Sequence, residues 1–298
     1  MKKKILNYVK QALPVMVCCL VMMTSCDDKD GRKEDVSVYV CGVETGTEYN
    51  YSEDSWEEEK AVLWKNGEKQ ILQPSAGKTS SIATSVFLSG SGDIYVAGSE
   101  YSEESNDGAV LWKNGVAQPL AKSGEESFAY SVYVSGNDVY VAGCDDNYAV
   151  LWKNGQEQRL TDRSGYAGGY SVFVSGNDVY VAGWDGDYAV LWKNGVAQYL
   201  TDGKEDAEVY SVYVSGNDVY VAGWDGDYAV LWKNGIPQYL TGAEDDAVAS
   251  SVFVSGDDVY VSGDISKDGT SRGVLWKNGE RQTLSGEQNT YARSVFVK

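Results

Sequence analysis

The sequence predicts an all-β fold, a six-bladed β-propeller with four antiparallel strands per blade, and three repeated elements support this prediction. The tetrapeptide Trp-Lys-Asn-Gly occurs six times, with its Trp at positions 64, 112, 152, 192, 232 and 276. An apolar run containing Tyr39, Tyr95, Tyr140, Tyr180, Tyr220 or Tyr260 occurs six times as well. So does Ser-Val followed by Phe or Tyr, beginning at Ser85, Ser131, Ser171, Ser211, Ser251 and Ser294. The middle copies are 40 residues apart, a period typical of propeller blades.

One unit, read from Ser171, predicts four short strands. β-Branched and aromatic residues favour strands, and Gly, Asn and Asp favour the tight turns between them. The predicted strands, named A to D, cover 171–174, 179–183, 188–192 and 196–200. Strands A to C are apolar at successive positions, which predicts sheets covered on both faces, as in stacked blades. The six recurrent tryptophans are therefore expected in the core between blades, where each ring buries about 150–250 Å².

The two ends of the repeat region predict a closed ring. The first unit begins at strand B, over 36–42, with no strand A before it. The chain ends on Ser294-Val295-Phe296-Val297-Lys298, which has the pattern of a strand A with no strand B after it. We expect this C-terminal strand to pair with the N-terminal partial blade, because closure removes an exposed sheet edge.

The repeat resembles two known propeller repeats over most of 36–298. Gly-Asn-Asp-Val-Tyr-Val-Ala-Gly, at 176–183, is similar to the NHL repeat. Ala-Val-Leu-Trp-Lys-Asn-Gly, at 189–195, resembles the extracellular HAF repeat, although the His-Ala-Phe signature of that family is absent. Both resemblances imply a propeller, and the second implies an extracellular setting; neither implies a reaction.

The N-terminal residues have the pattern of a secretory leader. Residues 1–25 combine a basic start, an apolar stretch from Ala12 to Met23 and small residues before Cys26. This pattern resembles the lipobox of bacterial lipoproteins, which implies acylation of Cys26; the alternative is an ordinary signal peptide. Residues 26–35 are charged and are expected to form a flexible acidic tether. The tract resembles the surface-export signal of some Gram-negative outer membranes, although an Asp after the cysteine marks inner-membrane retention in other groups.

Composition narrows the classes of partner and chemistry. The formal net charge is −19, which disfavours nucleic acid and leaves the lipid anchor as the expected membrane contact. The chain has no histidine, the commonest general base and a frequent metal ligand, and we expect no metal and no cofactor. Cys41 and Cys144 are expected as two buried thiols, not a disulfide, and the protein is expected to be a monomer.

Strand order places the B–C and D–A connections on one face of the propeller, where they vary between repeats. Variable loops usually carry function, whereas the short A–B and C–D turns resemble plain hairpin turns. Aromatic rings and carboxylates concentrate on the variable face, as in many sugar and peptide sites. The candidate ligand-binding residues are Trp184, Asp185, Asp187, Trp224, Asp225, Asp227, Asp145, Asp146, Tyr130, Tyr170 and Tyr210.

These observations predict a non-catalytic envelope protein that binds an extracellular glycan, peptide or protein through this face. One alternative is a carbohydrate-active hydrolase or lyase that uses paired carboxylates of the same face. A second alternative is an envelope scaffold. No residue departs from the repeat in a way that marks a nucleophile or an acid, and near-identical blades favour binding or scaffolding over catalysis.

Overall fold

The computed structural model describes residues 37–45, 49–50, 55–56, 59–102, 105–121, 126–162, 165–242, 246–284 and 289–297. Within these residues the protein is all-β and contains no helix. Five sheets have four antiparallel strands each and the first large sheet has three, an arrangement consistent with a propeller-like fold. The predicted leader, Cys26 and the tether lie outside the described residues.

The strands follow the chain order from sheet to sheet. Sheet 1 contains β1 (Tyr39–Glu44), β4 (Lys60–Lys65) and β5 (Glu68–Ile71), and between its first two strands lies the hairpin of β2 (Tyr49–Asn50) and β3 (Ser55–Trp56). Sheet 2 contains β6 (Ser80–Leu88), β7 (Ile94–Ser102), β8 (Ser105–Lys113) and β9 (Val116–Pro119). Sheet 3 contains β10 (Ser127–Ser135), β11 (Asp138–Asp145), β12 (Tyr148–Lys153) and β13 (Gln156–Arg159).

The three later sheets repeat the four-strand pattern. Sheet 4 contains β14 (Ala167–Ser175), β15 (Asp178–Asp185), β16 (Tyr188–Lys193) and β17 (Val196–Tyr199). Sheet 5 contains β18 (Ala207–Ser215), β19 (Asp218–Asp225), β20 (Tyr228–Lys233) and β21 (Ile236–Tyr239). Sheet 6 contains β22 (Asp246–Ser255), β23 (Asp258–Lys267), β24 (Thr270–Lys277) and β25 (Glu280–Thr283). In sheets 2–6 these are strands A, B, C and D in that order, and sheet 1 lacks a strand A.

The A–B and C–D turns lie together and are joined by side chains, so they are more than plain hairpin turns. Asn194, at φ 51°, accepts a hydrogen bond from Val179 N through Oδ1 and donates from Nδ2 to Asp178 Oδ1, both at 2.8 Å. Asp178 also pairs with Lys193 at 2.8 Å, and the Lys193 ammonium lies 5.3 Å from the ring centroid of Tyr180. The Asn–Asp link recurs in sheets 2, 3, 5 and 6. It fastens strand B to the C–D turn by the same contacts in each of these sheets.

The hydrophobic core lies between neighbouring sheets. In one interface Tyr140 and Leu151 of sheet 3 pack with Val181 and Trp192 of sheet 4. Five of the six recurrent tryptophans are fully buried, as the sequence predicts, with 0–1% of their surface exposed. Each of these packs against the sheet before it in the chain. Trp64, in sheet 1, is only partly buried.

The predicted closure of the ring, by pairing of the C-terminal strand with sheet 1, is not detected. Among the described residues, 289–297 carry no strand, and no register pairs them with β1. They nevertheless lie on sheet 6 as a next strand A would. Val295 N donates to Ser251 Oγ at 3.4 Å, as Val252 N does to Ser211 Oγ at 3.2 Å. Phe296 also contacts Phe253 at a centroid distance of 4.9 Å, which adds a last ring to the row Phe87, Tyr133, Phe173, Tyr213 and Phe253.

Candidate functional site

A β-bulge in strand A sets the position of the three predicted tyrosines. The pairing of strands A and B shifts by one residue in sheets 2–6, and the extra residues are Thr84, Tyr130, Tyr170, Tyr210 and Ser250. A bulge leaves one residue unpaired and redirects its side chain. The predicted strand A of sheet 4 begins at Ser171, which would leave Tyr170 in the loop before it. This prediction is wrong, because the strand begins at Ala167.

The tyrosines of sheets 3, 4 and 5 form a continuous aromatic surface, which we call the tyrosine row. Ring centroids are 5.1 Å apart between Tyr130 and Tyr170, and 5.0 Å apart between Tyr170 and Tyr210. Trp184 stacks on Tyr170 at 4.4 Å with an interplanar angle of 26°. All four rings are partly buried, so they keep some surface for a partner.

A partly buried carboxylate that was not among the predicted site residues, Glu208, lies at the sheet 5 end of the row. Trp224 Nε1 donates to the Tyr210 hydroxyl at 2.9 Å, and that hydroxyl donates to Glu208 Oε2 at 2.8 Å. Burial raises the pKa of Glu208, while hydrogen bonds from Tyr210 and Tyr170 oppose the rise. Burial also raises the pKa of Tyr170 well above its usual value, and the nearby Glu208 charge adds to this. Tyr170 therefore keeps its proton at neutral pH, and both tyrosines donate to Glu208.

At the sheet 3 end of the row the polar group is a thiol. The Tyr130 hydroxyl lies 3.8 Å from Cys144 Sγ, and Phe128 stacks on Tyr130 at 6.2 Å. Burial raises the pKa of Cys144 to about 12. Because the thiolate is the reactive form, Cys144 is an inert thiol here. Cys41 and Cys144 are both buried and form no disulfide, which confirms the prediction for this pair.

Sheet 6 departs from the aromatic pattern at the same two positions. Ser250 occupies the bulge, and Asp264 stands where sheets 4 and 5 have Trp184 and Trp224. Asp264 Oδ1 and Ser250 Oγ are buried and have no hydrogen-bond partner in the described part of the chain. Burial raises the pKa of Asp264 to about 6, although the Arg293 charge opposes this. Asp264 and Glu208 differ from the residues at the equivalent positions of the other sheets, and aligning the repeats position by position reveals both. That no residue marks a nucleophile or an acid stays a prediction.

The predicted aspartates lie apart from the tyrosine row. Asp185 Oδ2 accepts a hydrogen bond from Tyr199 at 2.8 Å, and Asp225 Oδ2 accepts one from Tyr239 at 3.2 Å. Both tyrosines belong to the outermost strand of their sheet, whereas Trp184 contacts the innermost one. Successive side chains of a strand point to opposite faces, which separates Trp184 from Asp185.

The remaining predicted aspartates are in or beside the B–C turns. Asp146, Asp187 and Asp227 are exposed, whereas Asp145 is 6% exposed. Trp184 and Asp185 lie between the predicted strands B and C but end strand B. The longer connections at 99–108 and 264–273 are largely extensions of paired strands. The described residues contain no group of three or more His, Cys, Asp or Glu side chains that could hold a metal. The expectation of no metal and no cofactor stays a prediction.

Comparisons with known proteins identify no family for this chain. No protein-family model matches the chain, and no curated protein matches it. Among solved structures, the computationally designed Ika8 protein is similar at 20% identity and a TM-score of 0.47, covering 80% of this chain and 72% of that chain. A chain of the nidogen/laminin complex is similar at 10% identity and a TM-score of 0.48, covering 87% of this chain and 97% of that chain. A search of the described residues for a helical membrane span finds none.

Proposed function

We propose that this chain is a non-catalytic binding module of the cell envelope, which holds an extracellular glycan, peptide or protein on the face that carries the tyrosine row. The observation that supports this most directly is the row itself. Three tyrosines and two tryptophans from consecutive sheets are held partly exposed by bulges and by hydrogen bonds. Tyr and Trp combine a large apolar area with a polar tip, which suits them to binding surfaces.

The charge of the chain supports the choice of partner. A formal net charge of −19 repels phosphate, so nucleic acid is disfavoured and neutral or basic partners are favoured. The tyrosine hydroxyls are neutral groups that can both donate and accept hydrogen bonds, which matches hydroxyl and amide groups on a ligand. The module is proposed to act as a monomer.

Paired variants test the binding face. The double variant Trp184→Ala/Trp224→Ala removes both indoles that contact the row, whereas Val196→Ala/Ile236→Ala changes two side chains that are each 72% exposed on outer strands. Purified proteins are applied to glycan arrays and to extracellular proteins and peptides. We expect saturable binding without turnover that the indole variant loses and the control keeps. Binding that both variants retain would refute this face as the site.

We further propose that residues 1–25 are a lipoprotein signal peptide and that Cys26 carries the lipid, with 26–35 as the tether to the outer-membrane surface of a Gram-negative cell. The pattern of basic, apolar and small residues before Cys26 supports this. An alkyne fatty acid fed to cells should label the protein and fail to label Cys26→Ser. Labelling of the variant would refute the assignment, and protection from external protease in intact cells would refute the surface location.

We propose that the six sheets close into a ring in which Ser294–Val297 is the missing strand A of sheet 1. Cys41 pairs with Leu63 as Ala182 pairs with Leu191, and Ala182 faces Ser171 of strand A. Ser294, which corresponds to Ser171, is therefore expected opposite Cys41. Facing residues of an antiparallel pair are within disulfide range.

Closure is tested by oxidising Ser294→Cys, which should cross-link to the native Cys41. The product migrates faster on a non-reducing gel, and the double variant Ser294→Cys/Cys41→Ala should not show it. Absence of the cross-link under conditions that oxidise both thiols would leave an open array of sheets.

A second candidate function, a carbohydrate-active hydrolase or lyase, is favoured by Asp264 and Glu208. Both are carboxyl groups on the face of the tyrosine row whose pKa is raised by burial, and shifted pairs of this kind are typical of acid–base sites. Incubation with polysaccharides would decide. Product release that Asp264→Asn or Glu208→Gln abolishes would replace binding by catalysis as the function.

A further inference from the structure

The sheet 5 end of the tyrosine row differs from the other sheets by one carboxylate. Glu208 pairs with Trp224 across strands A and B of sheet 5. The equivalent position holds an apolar residue or a glycine in the other four-stranded sheets, namely Ile82, Phe128, Gly168 and Val248. Glu208 is partly buried, and the Tyr210 and Tyr170 hydroxyls both donate to it. The acid is therefore a feature of one sheet and not of the repeat.

No cation neutralises Glu208 within the described part of the chain. None of the ion pairs there includes it, and the charged side chain that shifts its pKa is Asp206, a second acid, which raises it. At the opposite end of sheets 2–6 the Asp at the start of strand B pairs with the Lys that ends strand C, as Asp178 does with Lys193. Buried charges are normally paired, so we expect the counter-ion of Glu208 to come from a ligand.

The rings beside Glu208 favour a cation as well. The face of a tyrosine ring is negative and attracts ammonium and guanidinium groups. A phenol that donates its hydrogen to a carboxylate is polarised further in this direction. Because the hydroxyl hydrogens of Tyr170 and Tyr210 are used on Glu208, this end of the row offers a ligand ring surface and carboxylate oxygens.

The row changes from apolar to acidic along its length, and this selects the shape of the cation. At the sheet 3 end, Tyr130 contacts the Phe128 ring and the protonated thiol of Cys144. At the sheet 5 end the polar group is the Glu208 carboxylate. A lysine side chain has the matching polarity, because an apolar four-carbon stem leads to a compact ammonium group. A small free amine would match the acidic end alone.

From this arrangement we infer that the tyrosine row binds a lysine side chain of an extracellular protein partner, with the stem along the rings and the ammonium at Glu208. The inference deepens the proposed function and rests on it, since it selects a protein with an exposed lysine from the ligands proposed for this face. The exposed acids Asp146, Asp187 and Asp227, in or beside the B–C turns of the same face, favour the approach of a basic segment.

The test uses the full chain, purified in detergent and containing ¹⁵N-labelled tryptophan. Trp184→Phe and Trp224→Phe assign the two indole signals of the row. The probe is the N-acetylated and C-amidated peptide Gly-Gly-Lys-Gly-Gly at millimolar concentration, and its control has norleucine, which keeps the four-carbon stem without the charge. Methyl glucosaminide presents an ammonium group on a sugar. We expect the lysine peptide to shift both signals saturably and to bind about tenfold more tightly than the norleucine peptide.

Two variants separate Glu208 from the general charge of the protein. Glu208→Gln keeps the shape of the side chain and removes its charge, and we expect about tenfold weaker binding of the lysine peptide. The control Asp257→Asn removes the same charge from an exposed A–B turn of sheet 6, at the opposite end of the sheets, and should change the affinity less than about twofold. The indole signal of Trp112, whose N–H donates to the Gln73 carbonyl, should stay in place and shows that both variants are folded.

Four results would overturn the inference. Equal affinity for the lysine and norleucine peptides would mean that the row recognises the apolar stem alone. Equal weakening by Glu208→Gln and Asp257→Asn would mean that only the net charge attracts the peptide. A response to methyl glucosaminide without one to the lysine peptide would place the ammonium group on a sugar. The absence of any shift with the lysine peptide would exclude lysine as the ligand.

Failure of this inference is distinguishable from failure of the proposed function. If the lysine peptide does not bind, but ligands from the arrays still lose binding on Trp184→Ala/Trp224→Ala, the ligand class is wrong and the binding face stands. Array ligands that bind this double variant as tightly as the parent would refute the face itself.

Discussion

Gly183 is a position where one added methyl group should disrupt a sheet. It pairs with Gly169 across strands A and B of sheet 4. An ideal Cβ at Gly183 would lie 1.9 Å from the Gly168 carbonyl oxygen and 2.9 Å from the Gly169 Cα. Both obstacles are backbone atoms, so the clash cannot be relieved by a rotamer change, and the two strands must separate. Overpacking of a core costs about 1–3 kcal/mol, and a backbone obstacle places Gly183→Ala at about 3 kcal/mol.

The matched control is Gly186→Ala, three residues further on in the B–C turn. Gly186 has φ 64° and nothing within 4 Å of an ideal Cβ, so only backbone strain of about 1 kcal/mol is expected. For a domain of this size 1 kcal/mol corresponds to about 2–4 °C in Tm. Thermal unfolding followed by circular dichroism should therefore show a decrease of about 6–12 °C for Gly183→Ala and about 2–4 °C for Gly186→Ala. Equal decreases, or a larger one for Gly186→Ala, would refute the close approach of strands A and B.

Three further predictions test the core, the turns and the buried acid. Trp192→Ala should cost about 3–5 kcal/mol in the free energy of unfolding, and Trp64→Ala clearly less because Trp64 is partly exposed; denaturant titration measures both. Asn194→Ala should lower the free energy of unfolding by about 2 kcal/mol, because it loses two hydrogen bonds and places Ala at φ 51°. Asn194→Gly loses the same hydrogen bonds without the backbone strain and should cost about 1 kcal/mol. Equal costs would show that the positive φ contributes nothing. Burial raises the pKa of Asp264 from 3.8 to about 6, so the folded protein retains a proton that the unfolded chain releases, and the stability from this group is lost as pH rises through 6. Asp264→Asn should therefore raise the free energy of unfolding at about pH 7.5 by about 1 kcal/mol, a value reduced for solvent screening, and should change it little at about pH 4. The control is Asp227→Asn, at an exposed position. A gain in stability that does not depend on pH would contradict the assignment.

The number of sheets and the position of most turns could be predicted from the repeat. Asn194 and its five equivalents all adopt φ between 51° and 54°, which is the conformation that Asn-Gly favours in tight hairpins. The buried tryptophans follow from their place in an apolar run. These features are local or repeated, so each copy of the sequence reinforces the same conclusion.

The ends of the strands and the composition of the site could not be predicted in the same way. Asp185 begins an Asp-Gly pair typical of a turn and Trp184 directly precedes it, but both are paired with strand A because that strand begins at Ala167. That early start depends on a bulge at Tyr170, which only the pairing of two strands reveals. Glu208 was missed because it lies in the same early part of strand A, where the sequence suggested a loop.

The two ends of the sheets differ in how much their sequence varies, and this difference bears on where a ligand binds. At the end with the A–B and C–D turns, Asp178, Asn194 and Lys193 form contacts that recur almost unchanged in sheets 2, 3, 5 and 6. Such recurrence is expected of contacts that stabilise the fold. At the opposite end, one position holds Cys144 in sheet 3, Trp184 in sheet 4 and Asp264 in sheet 6. A ligand shared equally by all sheets would require the same group at this position in each. The proposed binding face is therefore expected to hold its ligand in one orientation, with aromatic contacts from sheets 3–5 and polar contacts from Glu208 and sheet 6.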